Sequence, residues 1–208
     1  MIIHDPVEIE RRSMEIIESG LPAGIPEENK AVVRRVIHCT ADFDYASNLA
    51  FSDNAVQKAL AALEKGCDII TDTQMAYSGI NKAAASKLGC AVHCFMSDPD
   101  VAEEAKKRGC TRAVVSMEKA AKMNKPLIFA IGNAPTALLR LRELIDAGEI
   151  TPFLVIGVPV GFVNVEVAKE QIMETDIPYI INRGRKGGSN VAAAICNAIL
   201  YEMKKGKL

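Results

Sequence analysis

The sequence predicts a three-layer α/β/α fold with a five-stranded, mainly parallel sheet and a helical segment ahead of it, on three observations. Five short apolar runs rich in β-branched residues, CDIITDT, CAVHCFM, PLIFAIG, FLVIGVP and PYIINRG, follow one another from Cys67 onward, each bounded by Gly or Pro. Helical stretches separate them: SGINKAAASKLG, PDVAEEAKKRG with TRAVVSMEKAAKMN, APTALLRLRELIDAG and NVEVAKEQIMET, with SNVAAAICNAILYEMKKG closing the chain. Strand, helix and strand at this spacing imply right-handed crossovers and a parallel sheet covered on both faces. No repeat, low-complexity tract or linker interrupts the pattern. Residues 1–208 therefore read as one domain, with a helical arm over about 1–65 and the sheet unit over about 66–208.

The arm opens with Asp5-Pro6 as a helix start, followed by VEIERRSMEIIESG, whose Val7, Ile9, Met14, Ile16 and Ile17 suggest an amphipathic helix stopped by Gly20. Arg11, Arg12 and Ser13 are its polar points, and such an arm can pack on its own domain or on a partner subunit. After the turn LPAGIP comes ENKAVVRRVIHCTADFDY, with Pro26 before it and Glu27 and Glu28 in the first turn. At about 100° per residue, Val32, Val33, Val36 and Ile37 share one side of this helix, and Arg34, Arg35 and His38 share the other. His38 stands near the C-terminus, where the macrodipole favours positive charge. The arginines oppose it, and a bound polycarboxylate would neutralise them and let the histidine carry a proton. The same segment also reads as an ordinary helix with a solvated basic face. SNLAFSDNAVQKALAALEKG then reads as a helix capped by Ser52 or Asp53 and ended by Gly66.

In a parallel sheet, ligands bind beyond the carboxyl ends of the strands. The junctions there are TDTQMAYSGI with Asp72, Thr73 and Ser78, GNAPTAL with Asn133, Pro135 and Thr136, GVPVGFVN, and NRGRKGGSN with Arg183, Arg185 and Lys186. Each carries Gly or Pro, which is ordinary turn chemistry. Each would also present free N–H groups able to hold a carboxylate or phosphate.

Composition narrows the function. Hydrophobic content of 49%, charged content of 25% and a net charge of -1 describe a soluble globular protein without the basic excess of a nucleic-acid binder. No apolar run is long enough to span a membrane. Cys39, Cys67, Cys90, Cys94, Cys110 and Cys196 form no C-x-x-C pair and follow no signal peptide, so they read as reduced thiols of a cytoplasmic protein. Cys90 and Cys94, four residues apart on a strand, would lie about 13 Å from each other, too far to share a metal ion. His38, Asp42 and Asp44 lack the further imidazoles of a metal site, and His4 and His93 read as structural; no metal is expected.

The motifs of several enzyme classes are missing. No G-x-G-x-x-G follows a strand, and neither a phosphate-loop motif nor G-x-S-x-G occurs. Cys39 points away from its neighbour His38 on a helix, and its expected role is packing. What remains is one acid/base residue in a basic, hydrogen-bonding pocket, which suits a proton-assisted rearrangement of a large anionic substrate.

The phrases RRVIHCTADFDY, TDTQMAYSGI, IGNAPTALLRL, GVPVGFVN and GRKGGSNVAAAICNAI, in this order, resemble the successive blocks of the precorrin-8X methylmutase family of cobalamin biosynthesis. The resemblance runs from HDPVEIERRS to the last helix. It implies a cofactor-independent isomerase that moves a methyl group from ring carbon C-11 to C-12 of precorrin-8X, or of its cobalt form, giving hydrogenobyrinate or cobyrinate. The R-x-x-H histidine of the family falls on His38, which would protonate or hydrogen-bond a ring nitrogen and so promote a 1,5-sigmatropic shift. Substrate contacts fall on Ser13 and Arg35, and on Arg112 as a carboxylate partner. Thr73, Met75, Asn133, Thr136, Arg183 and Arg185 are the further substrate-binding residues we infer at the sheet edge, with Tyr77 and the Gly/Pro-rich loops against the ring. Arg suits the acetate and propionate groups of such a substrate because it meets a carboxylate bidentately. Family members look like homodimers with the pocket near the subunit interface. The sequence does not choose between the metal-free and the cobalt-bearing substrate; six unprotected thiols are the one feature that leans to an anaerobe and the cobalt form. A non-catalytic tetrapyrrole carrier is the alternative reading, and a nucleotide-binding oxidoreductase a third.

Overall fold

The computed structural model describes residues 2–205, so the expected end of the last helix at Gly206 lies outside the described residues. Asp5 accepts a hydrogen bond from the Glu8 N–H at 2.9 Å and starts helix α1, Pro6–Gly20. Helix α2, Glu27–Thr40, follows, then the short α3, Tyr45–Asn48, and strand β1, Leu49–Phe51. The remaining elements alternate: α4 Ala55–Glu64, β2 Asp68–Thr71, α5 Gln74–Gly79, α6 Lys82–Ser86, β3 Val92–His93, α7 Pro99–Arg108, α8 Arg112–Ala121 and β4 Leu127–Ile131. Helix α9 Pro135–Asp146, β5 Leu154–Gly157, α10 Val165–Met173, β6 Tyr179–Asn182 and α11 Ser189–Lys205 complete the chain.

The described strands form one sheet of six rather than the expected five, in the order β1-β6-β5-β4-β2-β3. Five run parallel. The sixth is β1, which pairs antiparallel with β6 through Leu49↔Asn182 and Phe51↔Ile180, just ahead of the expected helix cap and in residues for which no strand was expected. Three residues are too few to show a period, and what makes them a strand is the open edge of β6 that they cover. Ser52 extends this pairing rather than capping α4: its N–H donates to the Tyr179 carbonyl, and its Oγ accepts from the Tyr179 N–H at 2.9 Å. The residue before α4 is Asn54, in the left-handed region at φ 55. The run CAVHCFM also shortens, leaving only Val92 and His93 as β3.

Alternation along the strands divides the core. Ile128, Ala130, Leu154, Ile156 and Ile180 face α1, α2, α4, α6 and α11. Leu127, Phe129, Ile131, Val155 and Ile181 face α8, α9 and α10. Helix α2 buries Val32, Val33, Val36 and Ile37, as its period requires, and each contributes about 1.5–3 kcal/mol by leaving water. Helix α11 lies between α2 and α5, and the fit is close: a Cβ on Gly79 would come within 2.9 Å of the Ala193 Cβ. One apolar cluster runs from Ile17 to Met203, so the helical arm and the sheet share a core. No described helix is long and apolar enough to cross a membrane.

At the amino end of β2, Asp68 is fully buried and accepts from the Ala91 N–H at 2.8 Å, His93 Nε2 at 3.0 Å and Lys125 Nζ at 3.0 Å. Burial pushes its carboxyl up, and the three donors outweigh that and hold it below the usual carboxylate range. His93 is thus structural. A depressed folded pKa stabilises the protein above the unfolded value of about 3.9 and is lost as pH falls through the folded value. Asp68→Asn is expected to destabilise the fold by about 1.5–3 kcal/mol at neutral pH and to flatten the loss of stability below about pH 4. Urea midpoints measured across pH for both proteins check this.

Candidate active site at the carboxyl edge of the sheet

His38 occupies the last turn of α2 and is exposed. The helix stops at Ala41, in the left-handed region at φ 54, whose N–H returns to the Ile37 carbonyl at 2.7 Å. Cys39, whose expected role is packing, is exposed and rests against the first turn of α11. Its Sγ lies 3.5 Å from Asn190 Nδ2 and 3.7 Å from the Asn190 carbonyl. Next to Asn190, the buried Ser189 Oγ sits 2.8 Å from Thr73 Oγ1, which also accepts from the Ala76 N–H and caps α5. Cys39, Asn190, Ser189 and Thr73 therefore link the end of α2 across the start of α11 to the start of α5, with His38 in the same last turn of α2. Met75, one residue into α5, is 69% exposed. Tyr77 lies on the same helix with the Lys82 ammonium 4.4 Å from its ring centroid.

The junction after β4 departs from expectation. Its amides are occupied by the protein itself: the buried Asp72 carboxylate accepts from the N–H groups of Gly132 at 2.9 Å, Asn133 at 2.8 Å and Ala134 at 2.7 Å. Burial raises the pKa of this carboxyl, while the three donors pull in the other direction. An outside anion finds no free cradle at the start of α9. Only the Asn133 side chain remains exposed there. Thr136 Oγ1 is 2.9 Å from Thr111 Oγ1, and the exposed Arg112 donates to the Met96 carbonyl at 3.4 Å. These residues lie on the α8 and α9 side of the sheet, opposite α2 and His38.

The junction after β6 carries the cations outward. Arg183, Arg185 and Lys186 are all exposed. Lys186 Nζ reaches Asp42 and Asp44 at 2.6 Å each, which ties this loop to the end of α2 and holds the Asp42 carboxyl below the usual range. Arg185 donates to Glu166 at 3.1 Å, with its guanidinium 6.0 Å from the ring centroid of Phe162, a residue 84% exposed in the loop after β5. Asp42 and Asp44 serve as ion-pair partners, and the described residues hold no cluster of His, Cys, Asp and Glu able to bind a metal ion.

The polar residues of α2 and α1 part company from this link. Arg34 Nε pairs with Glu18 at 2.6 Å, and the Arg35 guanidinium lies 5.3 Å from the ring centroid of Tyr201. Both arginines line a groove of about 650 Å³ between α1, α2 and α11. Ser13 Oγ donates to the Ile9 carbonyl at 2.7 Å, within its own helix. Ser189 and Asn190 were missed at the level of sequence, although Ser-Asn directly after Gly-Gly is a helix-start signal.

A mainly parallel α/β sheet with exposed arginines and hydroxyls along its carboxyl edge, and an exposed histidine at the end of α2, suits the class of α/β enzymes that act on anionic small molecules. Comparison with known proteins makes the class particular. The profile of the precorrin-8X methylmutase family matches residues 8–202, and the chain belongs to that family. Among its relatives, the cobalt-precorrin-8 methylmutase of Leptospira interrogans is 46% identical over 206 residues, covering 95% of this chain and 94% of that protein. The precorrin-8X methylmutase of Pseudomonas aeruginosa is 39% identical over 206 residues, covering 96% and 97%. The crystal structure of precorrin-8x methyl mutase from Thermus thermophilus superposes with a TM-score of 0.87 at 37% identity, over 96% of this chain and 99% of that one.

Asp72→Ala is expected to destabilise the fold by about 3 kcal/mol, because it leaves one buried and two partly buried N–H groups without their acceptor. Sulfate should then enter the vacated cradle and raise the melting temperature of the variant more than that of wild type. Equal responses to sulfate in the two proteins would count against Asp72 as the occupant of an anion cradle.

Proposed function

We propose that this methylmutase, acting as one domain without a cofactor, moves a methyl group from ring carbon C-11 to C-12 of precorrin-8X or its cobalt form, with His38 as the acid. The observation that carries this reading is the placement of His38, exposed at the C-terminal end of α2, next to the segment that Lys186 ties to the loop after β6 through Asp42 and Asp44. The reaction is an isomerisation, so no electrons or atoms leave the substrate. A proton placed on, or hydrogen-bonded to, a ring nitrogen draws electron density from the macrocycle, lowers the barrier to a 1,5-sigmatropic shift and returns to His38 afterwards.

The remaining residues bind and orient. Arg183, Arg185 and Arg112 take peripheral carboxylates bidentately, Arg35 takes one from the groove beside α1, where Ser13 adds a hydroxyl, and Thr73, Asn133 and Thr136 hydrogen-bond along the edge. Met75 and Tyr77 lie against the ring. We also infer a homodimer in the cytoplasm. Val7, Ile9 and Ile16 of α1 are 76%, 46% and 59% exposed, an apolar surface on the arm that suits a second copy. That copy would bring its Arg112 and Thr136, which lie on the far side of the sheet from His38 in a single chain.

Single-turnover conversion of precorrin-8 and of its cobalt form, followed by visible absorbance alongside a binding titration, tests the reading. His38→Ala is expected to lose about 10²–10⁴-fold in rate while retaining affinity. A variant that converts as fast as wild type would remove His38 from the chemistry. Binding without conversion by either protein would leave a tetrapyrrole carrier.

A further inference from the structure

Helix α10 places Val165, Ala168 and Ile172 on its buried face, and Lys169 falls in the same stripe with only 1% of its surface exposed. A methionine or leucine would fill this slot without removing a charge from water, a step that costs several kcal/mol. Burial pushes the Lys169 ammonium down to about 8, against the pull of the nearby Glu166 carboxylate. Its hydrogen-bond partners are two main-chain carbonyls of the loop after β6: Gly184 at 2.7 Å and Lys186 at 3.0 Å.

The rest of that loop is held in the same way. Asn182, fully buried at the end of β6, donates from Nδ2 to the carbonyls of Arg183 at 3.2 Å and Lys186 at 2.9 Å. The Gly161 N–H donates to the Arg185 carbonyl at 3.2 Å. Four consecutive carbonyls, 183 to 186, therefore accept from the protein, while the side chains of Arg183, Arg185 and Lys186 are left at the surface. The loop also lies directly on the strand beside it: a Cβ on Gly187 would come within 2.1 Å of the Val158 carbonyl oxygen, and the Gly188 N–H donates to that oxygen at 2.9 Å.

We propose that Lys169 is a positioning residue for substrate binding, holding the Gly184 and Lys186 carbonyls inward so that Arg183, Arg185 and Lys186 stand in fixed positions along the ligand edge. The proposal rests on the reading of that loop as a carboxylate-binding element. Its physical content is preorganisation. A neutral side chain of similar length fills the slot but donates no hydrogen bond, so the loop gains conformations and each cation must be ordered again when the ligand binds. The loss falls on binding, because Lys169 lies beneath the loop and its donors are directed to main chain. Lys186 carries the effect further, since its ion pairs with Asp42 and Asp44 connect the loop to the helix end that bears His38.

The test uses full-length Lys169→Met and Lys169→Gln, with near-ultraviolet circular dichroism to monitor the fold, steady-state conversion of precorrin-8, and titration with hydrogenobyrinate. A rise of about tenfold or more in KM and in the product Kd, with kcat within about threefold of wild type, is the expected result. Unchanged affinity in a folded variant overturns the proposal, as does a fall in kcat at unchanged KM. Loss of the folded state in both variants overturns it too, by assigning Lys169 to the core. Arg183→Ala combined with Arg185→Ala separates this inference from the reading beneath it. If that double variant binds hydrogenobyrinate as wild type does, the loop is not the carboxylate site. If it binds weakly while Lys169→Met binds normally, only the role of Lys169 falls.

Discussion

The Asp72 carboxylate, buried between β2 and β4 and accepting three main-chain N–H groups at the start of α9, is the constraint on which the ligand edge depends. Helix N-termini at the carboxyl end of a parallel sheet are ready-made anion sites, and many α/β proteins spend them on a ligand phosphate. Here the amides are spent on an internal carboxylate. The arrangement fastens the junctions after the neighbouring strands β2 and β4 to each other and occupies the amides at the start of α9. The exposed cations of this edge are side chains instead: Arg183 and Arg185 at one end, and Arg112 at the other.

The loop after β6 mirrors this arrangement with the polarity reversed. Asp72 gathers donors from the main chain, whereas Lys169 and Asn182 supply donors to main-chain carbonyls. In both places the backbone is committed inward by a buried polar side chain. On the proposal that this edge takes a ligand with carboxylates spread around its periphery, cations fixed in this way would bind it with less ordering cost than mobile ones. The hydroxyl pair of Thr73 and Ser189 extends the same logic, since it joins α5 to α11 and leaves Met75 facing outward.

How much of this was legible in the sequence follows from the range of each interaction. The parallel strands, the Asp5 cap of α1 and the buried stripe of α2 were readable, because each rests on a local period or a local hydrogen bond. The position of His38 at a helix end came from the same register. Strand β1 was not readable, because three residues carry no period and their conformation is set by β6, far along the chain. The role of Asp72 escaped for the same reason, as its donors lie about sixty residues away. Arg35 shared a helix side with His38 as expected, yet it turns to Tyr201 of α11, which no property of α2 determines. Lys169 did leave a trace: a lysine between Ala168 and Ile172 in an apolar stripe breaks the pattern that the rest of α10 obeys, and such breaks mark polar groups with a structural or functional partner.

The exposure of His38 bears on how the site is completed. A proton donor in open water exchanges with solvent and gains little control over a ring nitrogen, whereas one shielded from water acts in a medium of lower polarity, where its charge weighs more. In a single chain His38, Met75 and Phe162 all face solvent. A flat macrocycle laid along the edge would cover one side of this surface and leave its own second face wet. The apolar residues of α1, with Val7 at 76% exposed, are suited to that second face or to the surface around it when they come from another copy of the chain. On the proposal that His38 is the acid and that a second copy covers the site, excluding water from the acid and from both faces of the ring would give the outward-facing arm a chemical reason, beyond the area it would bury.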